Sequence, residues 1–370
     1  MNYTDFRMKS GLLAALVVLA LTVAARLPRV SAAEPSLTDQ EFRTLITSLS
    51  ERGGTFVTDN IVSNEIALQD VLPELERTHR GAYIGVGPEQ NLTYISALKP
   101  SIAFVVDLQR SNMLVQLMYK ALVEMSTDRA DFLSRLFARP RPSGLTADTP
   151  ASAMLAAFAA VPRSSEMGDA QLQAIVTRLT KVHGLSLDRN DRGAIAKAYQ
   201  TLSTGGPNLR GDFGRSVEMP SWVPSYAEML SQAAPDGRNH SFLGSAANFA
   251  TLKSYESRNL IVPVVGDFAG DKALRAVGDY LRRRGMTVGT FYASNVEDYL
   301  FRSDAWKRFF RNLQSLPLDD TAVLVRTYFT HGIEGMREFL DPMRPMLASF
   351  DRGEIHSYDD VIKRSRVPQR

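Results

Sequence analysis

The chain contains no cysteine, which excludes disulfide staples, thiol nucleophiles, iron–sulfur ligation and every cysteine-based zinc site. Histidine is scarce: the five residues, His79, His183, His240, His331 and His356, never approach metal-ligand spacing, and neither HExxH nor GxSxG occurs. Metal-dependent and serine hydrolysis therefore have no signature here. A charge excess is also missing. Lys and Arg number 43 against 40 Asp and Glu, and Arg7, Lys9, Arg26 and Arg29 fall in residues 1–33 against Asp5 alone, so the remainder is balanced. Nothing in that balance selects nucleic acid as a partner. What is present suffices for a folded body: 370 residues, 44% hydrophobic and 22% charged, can bury one large core or two modest ones. Disorder, collagen and coiled coil are excluded.

Residues 1–33 read as a secretory signal peptide: Arg7 and Lys9, an uncharged run over 11–25, then the small residues Ser31, Ala32 and Ala33. That run is fifteen residues long, short of the roughly 20 that a spanning helix needs. The expectation is export to the periplasm, or anchoring with the body outside the cytoplasm; membrane contact is expected only through an uncleaved leader.

Thr38 with Glu41 forms a capping-box pattern, and Phe42, Leu45, Ile46 and Leu49 repeat at helical spacing. A second helix is expected within 56–76, perturbed by Pro73, so that 34–80 makes an N-terminal helical lid. From 82 the pattern becomes strand, turn, helix, strand: Ala82-Tyr83-Ile84-Gly85-Val86, a Gly-Pro turn, a helix through Leu92, Ile95 and Leu98, then residues 102–107 as a fully apolar run ending in Asp107. Residues 111–240 offer helices but no strand and read as a helical insertion. The alternation resumes with strands over 260–265, 286–292 and 321–328. The expected fold is α/β, a doubly wound, mostly parallel Rossmann-like sheet built from 81–110 and 241–335, with 336–370 as a C-terminal tail.

In such a sheet, ligands bind beyond the carboxyl ends of the strands. After the first strand stand Gly85, Gly87, Glu89 and Gln90, and Asp107 lies twenty residues past Gly87. This spacing suits a nucleoside whose ribose bonds the acid while its tail crosses the glycine turn. A pyrophosphate wants a third glycine and an uncluttered helix start, whereas Glu89 would repel it. The sulfonium and ammonium of S-adenosylmethionine tolerate an acidic turn, and Glu89 is a candidate contact for that ammonium.

The segments YIGVGPEQNLTYI, FVVDLQR, VVGDFAGD and FYASNVEDYLF resemble the core of class I S-adenosylmethionine-dependent methyltransferases, and are similar to a family of uncharacterised bacterial exported proteins assigned that core. The resemblance covers about 50–335. It implies Gly85 and Gly87 as the cofactor turn, Asp107 as the ribose acid, Asp267 as the adenine contact and residues 292–295, from Tyr292 to Asn295, as the segment facing the methyl group. The chain departs from that pattern at Tyr83, where the family carries an acid, and at Glu89, in place of its third glycine. No closing hairpin is legible after the fifth strand.

Methyl transfer asks the protein to align a nucleophile and sometimes to remove a proton. Asn295 is a candidate for orienting the acceptor, with Tyr328 and His331 as candidate bases, and Asn60, Asn64 and Glu65 as a polar lid. The expected function is that of a methyltransferase-like protein whose insertion and N-terminal helices cover the cofactor and select an acceptor. Two other readings stand beside it: an exported binding or structural protein that kept the sheet without the chemistry, and an NAD-dependent oxidoreductase, which Glu89 and Gln90 oppose.

Overall fold

The computed structural model describes residues 35–56, 61–211, 223–329 and 336–368; the leader, Asn60 and His331 lie outside them. Helix α1 (Asp39–Leu49) starts at the Thr38 capping box, with Glu41 N–H donating to Thr38 Oγ1 at 3.2 Å and Thr38 N–H to Glu41 Oε2 at 2.8 Å. It buries Phe42, Leu45, Ile46 and Leu49, each contributing about 1.5–3 kcal/mol of apolar burial. Over the next stretch the structure departs from the expected long helix. A 3₁₀ turn (Ile66–Asp70) precedes a short α2 (Leu72–Thr78). Pro73 sits in the first turn of α2, where its missing N–H costs nothing, so it opens a helix instead of bending one.

The sheet follows the alternation of the sequence. Strands β1 (Ala82–Gly85), β2 (Ala103–Asp107), β3 (Ile261–Val265), β4 (Val288–Ser294) and β5 (Leu318–Phe329) are mutually parallel, and β6 (Met336–Pro342) returns antiparallel to β5. The order β3-β2-β1-β4-β5-β6 puts the change of winding direction between β1 and β4. Pro263 is tolerated in β3 because β3 is an edge strand. That edge is covered at its end, where Glu51 N–H donates to Val265 O (3.0 Å) and Val265 N–H to Ser50 Oγ (3.0 Å).

Residues 336–370 are therefore more than a tail: β6 supplies the antiparallel closing strand that the sequence pattern concealed. Its segment, MREFLDP, has no β-branched residue, and its acids look like surface groups. Both are buried through partners on β5. Glu338 meets Thr327, and Asp341 meets the guanidinium of the buried Arg326, whose Nε donates to Glu297 at 2.5 Å.

The remaining helices are α3 (Gln90–Leu98), α4 (Arg110–Met125), α5 (Arg129–Phe137), α6 (Ala151–Ala159), α7 (Ser165–Thr177), α8 (Arg189–Gly205), α9 (Tyr226–Ser231), α10 (Ala246–Ser257), α11 (Ala273–Arg283), α12 (Val296–Arg302), α13 (Trp306–Gln314), α14 (Met343–Asp351) and α15 (Tyr358–Arg364). Helices α4 to α9 make up the stretch between residues 110 and 231, after β2. A buried polar network joins it to α1. Glu124 accepts from Lys120 (2.7 Å), Arg178 (2.9 Å) and His183 Nε2 (2.7 Å), and His183 Nδ1 lies 2.7 Å from Asp39. No helix among the described residues is long and apolar enough to cross a membrane.

Candidate functional site

The β1–α3 turn is held from inside by side chains. Asn91, fully buried, donates Nδ2 toward the carbonyls of Val86 (2.9 Å), Gly87 (3.0 Å) and Pro88 (2.8 Å), and its Oδ1 accepts from Tyr83 OH at 2.8 Å. Gln116 Nε2 from α4 adds bonds to the Gly87 and Pro88 carbonyls, both at 3.0 Å. Tyr83, standing where the methyltransferase pattern carries an acid, thus orients the residue that shapes the turn. Gly85 is required for this packing, since a Cβ there would collide with Asn91 and Tyr83, and it does not line the cavity. Gly87 is the open one: at φ +82° its Cβ position has no atom within 4 Å. That space belongs to a cavity of 560 Å³, within the size range of small-molecule and cofactor sites. It lies beyond the carboxyl ends of the parallel strands at the β1/β4 crossover, where α/β sheets bind ligands.

Asp107 closes β2 on the cavity wall. Its Oδ2 accepts Gly87 N–H at 3.2 Å and its Oδ1 accepts Gln109 N–H at 2.8 Å, while burial pushes its carboxyl up to about 6. Each oxygen keeps capacity for a ligand hydroxyl. Asp267, after β3, also lines the cavity. Its N–H is taken by Glu51 Oε1 (2.8 Å) and its Oδ1 by Ala269 N–H (2.8 Å), which leaves Oδ2 for a ligand donor. Glu89 points elsewhere. Buried away from the cavity, both of its oxygens accept Ser63 N–H (3.1 and 3.2 Å), and burial raises its carboxyl to about 7. The expected contact of Glu89 with a ligand ammonium is therefore replaced by a structural one that pins the 61–65 segment against α3.

That segment delivers Glu65 to the ends of β4 and β5. Gln90 Nε2 (2.8 Å), Thr327 Oγ1 (2.7 Å) and the hydroxyls of Tyr292 and Ser294 all donate to the Glu65 carboxylate. Burial, followed by the Glu65 charge, raises the Tyr292 phenol well above its ordinary value, so it keeps its proton and donates. Thr327 Oγ1 also lies 2.8 Å from Glu338 Oε1. Burial, then the Glu65 charge, raises Glu338 well above the usual carboxylate range. Ser294 occupies a left-handed backbone position, φ +53°, at the turn from β4 into α12, a conformation that costs a non-glycine residue about 1–2 kcal/mol.

The other sequence-selected residues divide. Asn64, Gln90 and Asn295 line the cavity, and Asn295 makes no side-chain capping bond to α12. Tyr328 faces away from Thr327 and packs its ring on Phe339 and Tyr358, each 6.2 Å between centroids, so its expected role as base is withdrawn. Among the described residues none from 111–240 reaches the cavity. The described lining comes instead from the strand ends and from residues 62–65 and 292–308, with Phe56, Tyr299 and Phe329 supplying aromatic surface and Arg308 its only cation. No local pattern in the sequence marks Glu51, Gln116 or Glu338, and Ser294 falls only within the 292–295 segment that the resemblance implies. Arg282, in the last turn of α11, bonds Asp279 and the Ser315 carbonyl, as befits a helix terminus.

Fold and crevice together define a Rossmann-like α/β protein with a ligand-sized cavity at the topological crossover. The chain belongs to the family described as a domain of unknown function (DUF7790), whose model matches residues 60–144 and 153–343. No curated protein matches it.

Proposed function

We propose that the cavity binds the adenosyl moiety of S-adenosylmethionine and that the protein is methyltransferase-like. The supporting observation is the open space at Gly87 beside a buried carboxylate, Asp107, at the tip of the neighbouring strand. In this reading Asp107 holds the ribose hydroxyls, Gly87 lets the ligand pass close to the backbone, and Asp267 Oδ2 accepts from the base. Bound there, the cofactor would supply an activated methyl group. The chain's own residues would bind it, exclude water and align an acceptor at Ser294 and Asn295.

The charges favour a cationic ligand over a dinucleotide. Glu65, Asp107 and Asp267 stand on the described wall against Arg308 alone, and a pyrophosphate at the start of α3 would sit beside Glu65, which is bonded to Gln90. A second reading, a binding protein without catalysis, draws support from Glu51, whose carboxylate already occupies the Asp267 N–H. Both readings place the protein outside the cytoplasm if the leader acts as a signal peptide. Calorimetric titration with S-adenosylmethionine and with NAD tests the proposal. We expect heat with the first only, and at least about tenfold weaker binding in Asp107→Ala, equivalent to about 1.4 kcal/mol. Binding of NAD alone would favour the oxidoreductase, and binding of neither would remove the nucleoside site.

A further inference from the structure

We propose that the buried end of this cavity, around Glu65 and Ser294, is a subsite for a protonated amine carrying an apolar body. This names the acceptor class of the reaction proposed above, and as an acceptor assignment it rests on that reading.

Four donors converge on Glu65: Gln90 Nε2 at 2.8 Å, Thr327 Oγ1 at 2.7 Å, and the hydroxyls of Tyr292 and Ser294. Three of them meet Oε2, and the Ser294 hydroxyl meets Oε1. A hydroxyl that directs its single hydrogen at Glu65 has only lone pairs left for other partners. The Tyr292 oxygen uses one of its own on Gln90 Nε2, while Ser294, on the cavity wall, presents its remaining lone pair to a ligand. Beside it, Asn295 Oδ1 lies 3.3 Å from Ser294 Oγ and adds a second acceptor oxygen at this end.

Thr327 Oγ1 stands 2.7 Å from Glu65 and 2.8 Å from Glu338 and has one hydrogen for two carboxyl groups. One of the two contacts must therefore be donated by a carboxyl. With all four of its neighbours donating, Glu65 is the ionised partner, and Glu338 carries the proton and donates it to Thr327. Glu338 sits behind the site, without a place on the cavity wall. The pair keeps one negative charge, and that charge lies on the member at the cavity. The only cation on the described wall is Arg308, against Glu65, Asp107 and Asp267.

The mouth of the cavity is aromatic. Phe56, Tyr299 and Phe329 line it, with Tyr299 37% and Phe329 38% exposed. An ammonium matches the lone pairs and negative charge of that end, and an apolar body matches the aromatic mouth. An alcohol would donate a single hydrogen without charge, and a carboxylate would face the like charge of Glu65.

The test uses the full chain and three matched probes, phenethylamine, phenethyl alcohol and 3-phenylpropionate, titrated calorimetrically with and without saturating S-adenosylmethionine. The amine is expected to bind at least about tenfold more tightly than either analogue, and Glu65→Gln to abolish the preference. Glu338→Gln, which leaves the Glu65 charge in place, keeps it. Should Glu65→Gln fail to fold, Ser294→Ala removes the acceptor oxygen and is expected to weaken the amine several-fold and the alcohol less, which narrows the preference. Equal binding of the three probes, no binding of the amine, or a preference that survives both Glu65→Gln and Ser294→Ala overturns the subsite. Mutual exclusion between amine and S-adenosylmethionine overturns the acceptor assignment, because the acidic end would then hold the cofactor's own ammonium. An amine preference without any binding of S-adenosylmethionine refutes the nucleoside reading and leaves the ammonium subsite standing.

Discussion

Replacing Glu89 by glutamine isolates the energetic consequence of burying a carboxyl to anchor a loop. Glu89 is 1% exposed, and its oxygens meet only backbone donors, the Ser63 N–H shared between them and its own N–H. Burial raises its pKa from 4.5 to about 7, against the lowering effect of its backbone bonds. A carboxyl with a raised folded pKa binds protons more tightly in the folded state, so its contribution is intact below the unfolded value and is lost as pH rises through the folded one. The window runs from 4.5 to about 7, and across it the folded state loses about 3 kcal/mol relative to a neutral residue. The substituted amide would keep an oxygen for the Ser63 N–H and would not titrate. Urea unfolding of the two proteins at a series of pH values should therefore diverge. Between pH 5 and pH 8 the wild type should lose about 2 to 3 kcal/mol relative to Glu89→Gln, with the other titrating groups cancelling in the comparison. Parallel stability curves would refute the argument. They would mean that Glu89 is solvated or has a further donor, and that the 61–65 segment is held some other way.

Other substitutions report on the turn and on the closing strand. Asn91→Ala leaves three turn carbonyls and Tyr83 OH with fewer partners and is expected to lower stability by about 3 kcal/mol; a loss below about 1 kcal/mol by urea unfolding would show the turn to be self-supporting. Arg326→Met strands Glu297 and Asp341 as buried charges and should cost about 3–5 kcal/mol. Adding Glu297→Gln and Asp341→Asn to that variant should recover part of the loss, and an equal or larger loss would place the effect in packing instead of charge.

Much of the sheet is legible in the sequence because strands buried on both faces read as apolar runs. Residues 102–107 and 260–265 match β2 and β3 to within a residue. The capping box at Thr38 and the helical spacing after it locate α1 for the same kind of reason, a local pattern with a local cause. What stays hidden depends on distant partners. The acids of β6 are buried only because Arg326 and Thr327 face them, and a single sequence does not reveal which surface-like acid has such a partner. The site shows the same division. Gly87 and Asp107 can be read from spacing, since a turn and a strand tip have fixed geometry. The four-donor cluster on Glu65 joins residues up to 262 positions apart and has no sequence period. Glu89 is misread because its position in the turn does not say which way the side chain leaves it; the Ser63 N–H decides that.

The central claim is the location of the nucleoside site. A crystal structure of the full chain grown with S-adenosylhomocysteine tests it most directly. The account predicts the ribose within hydrogen-bond distance of Asp107 and the ligand crossing Gly87. Density for the ligand at another surface, or a filled cavity in which Asp107 touches no ligand atom, would contradict it.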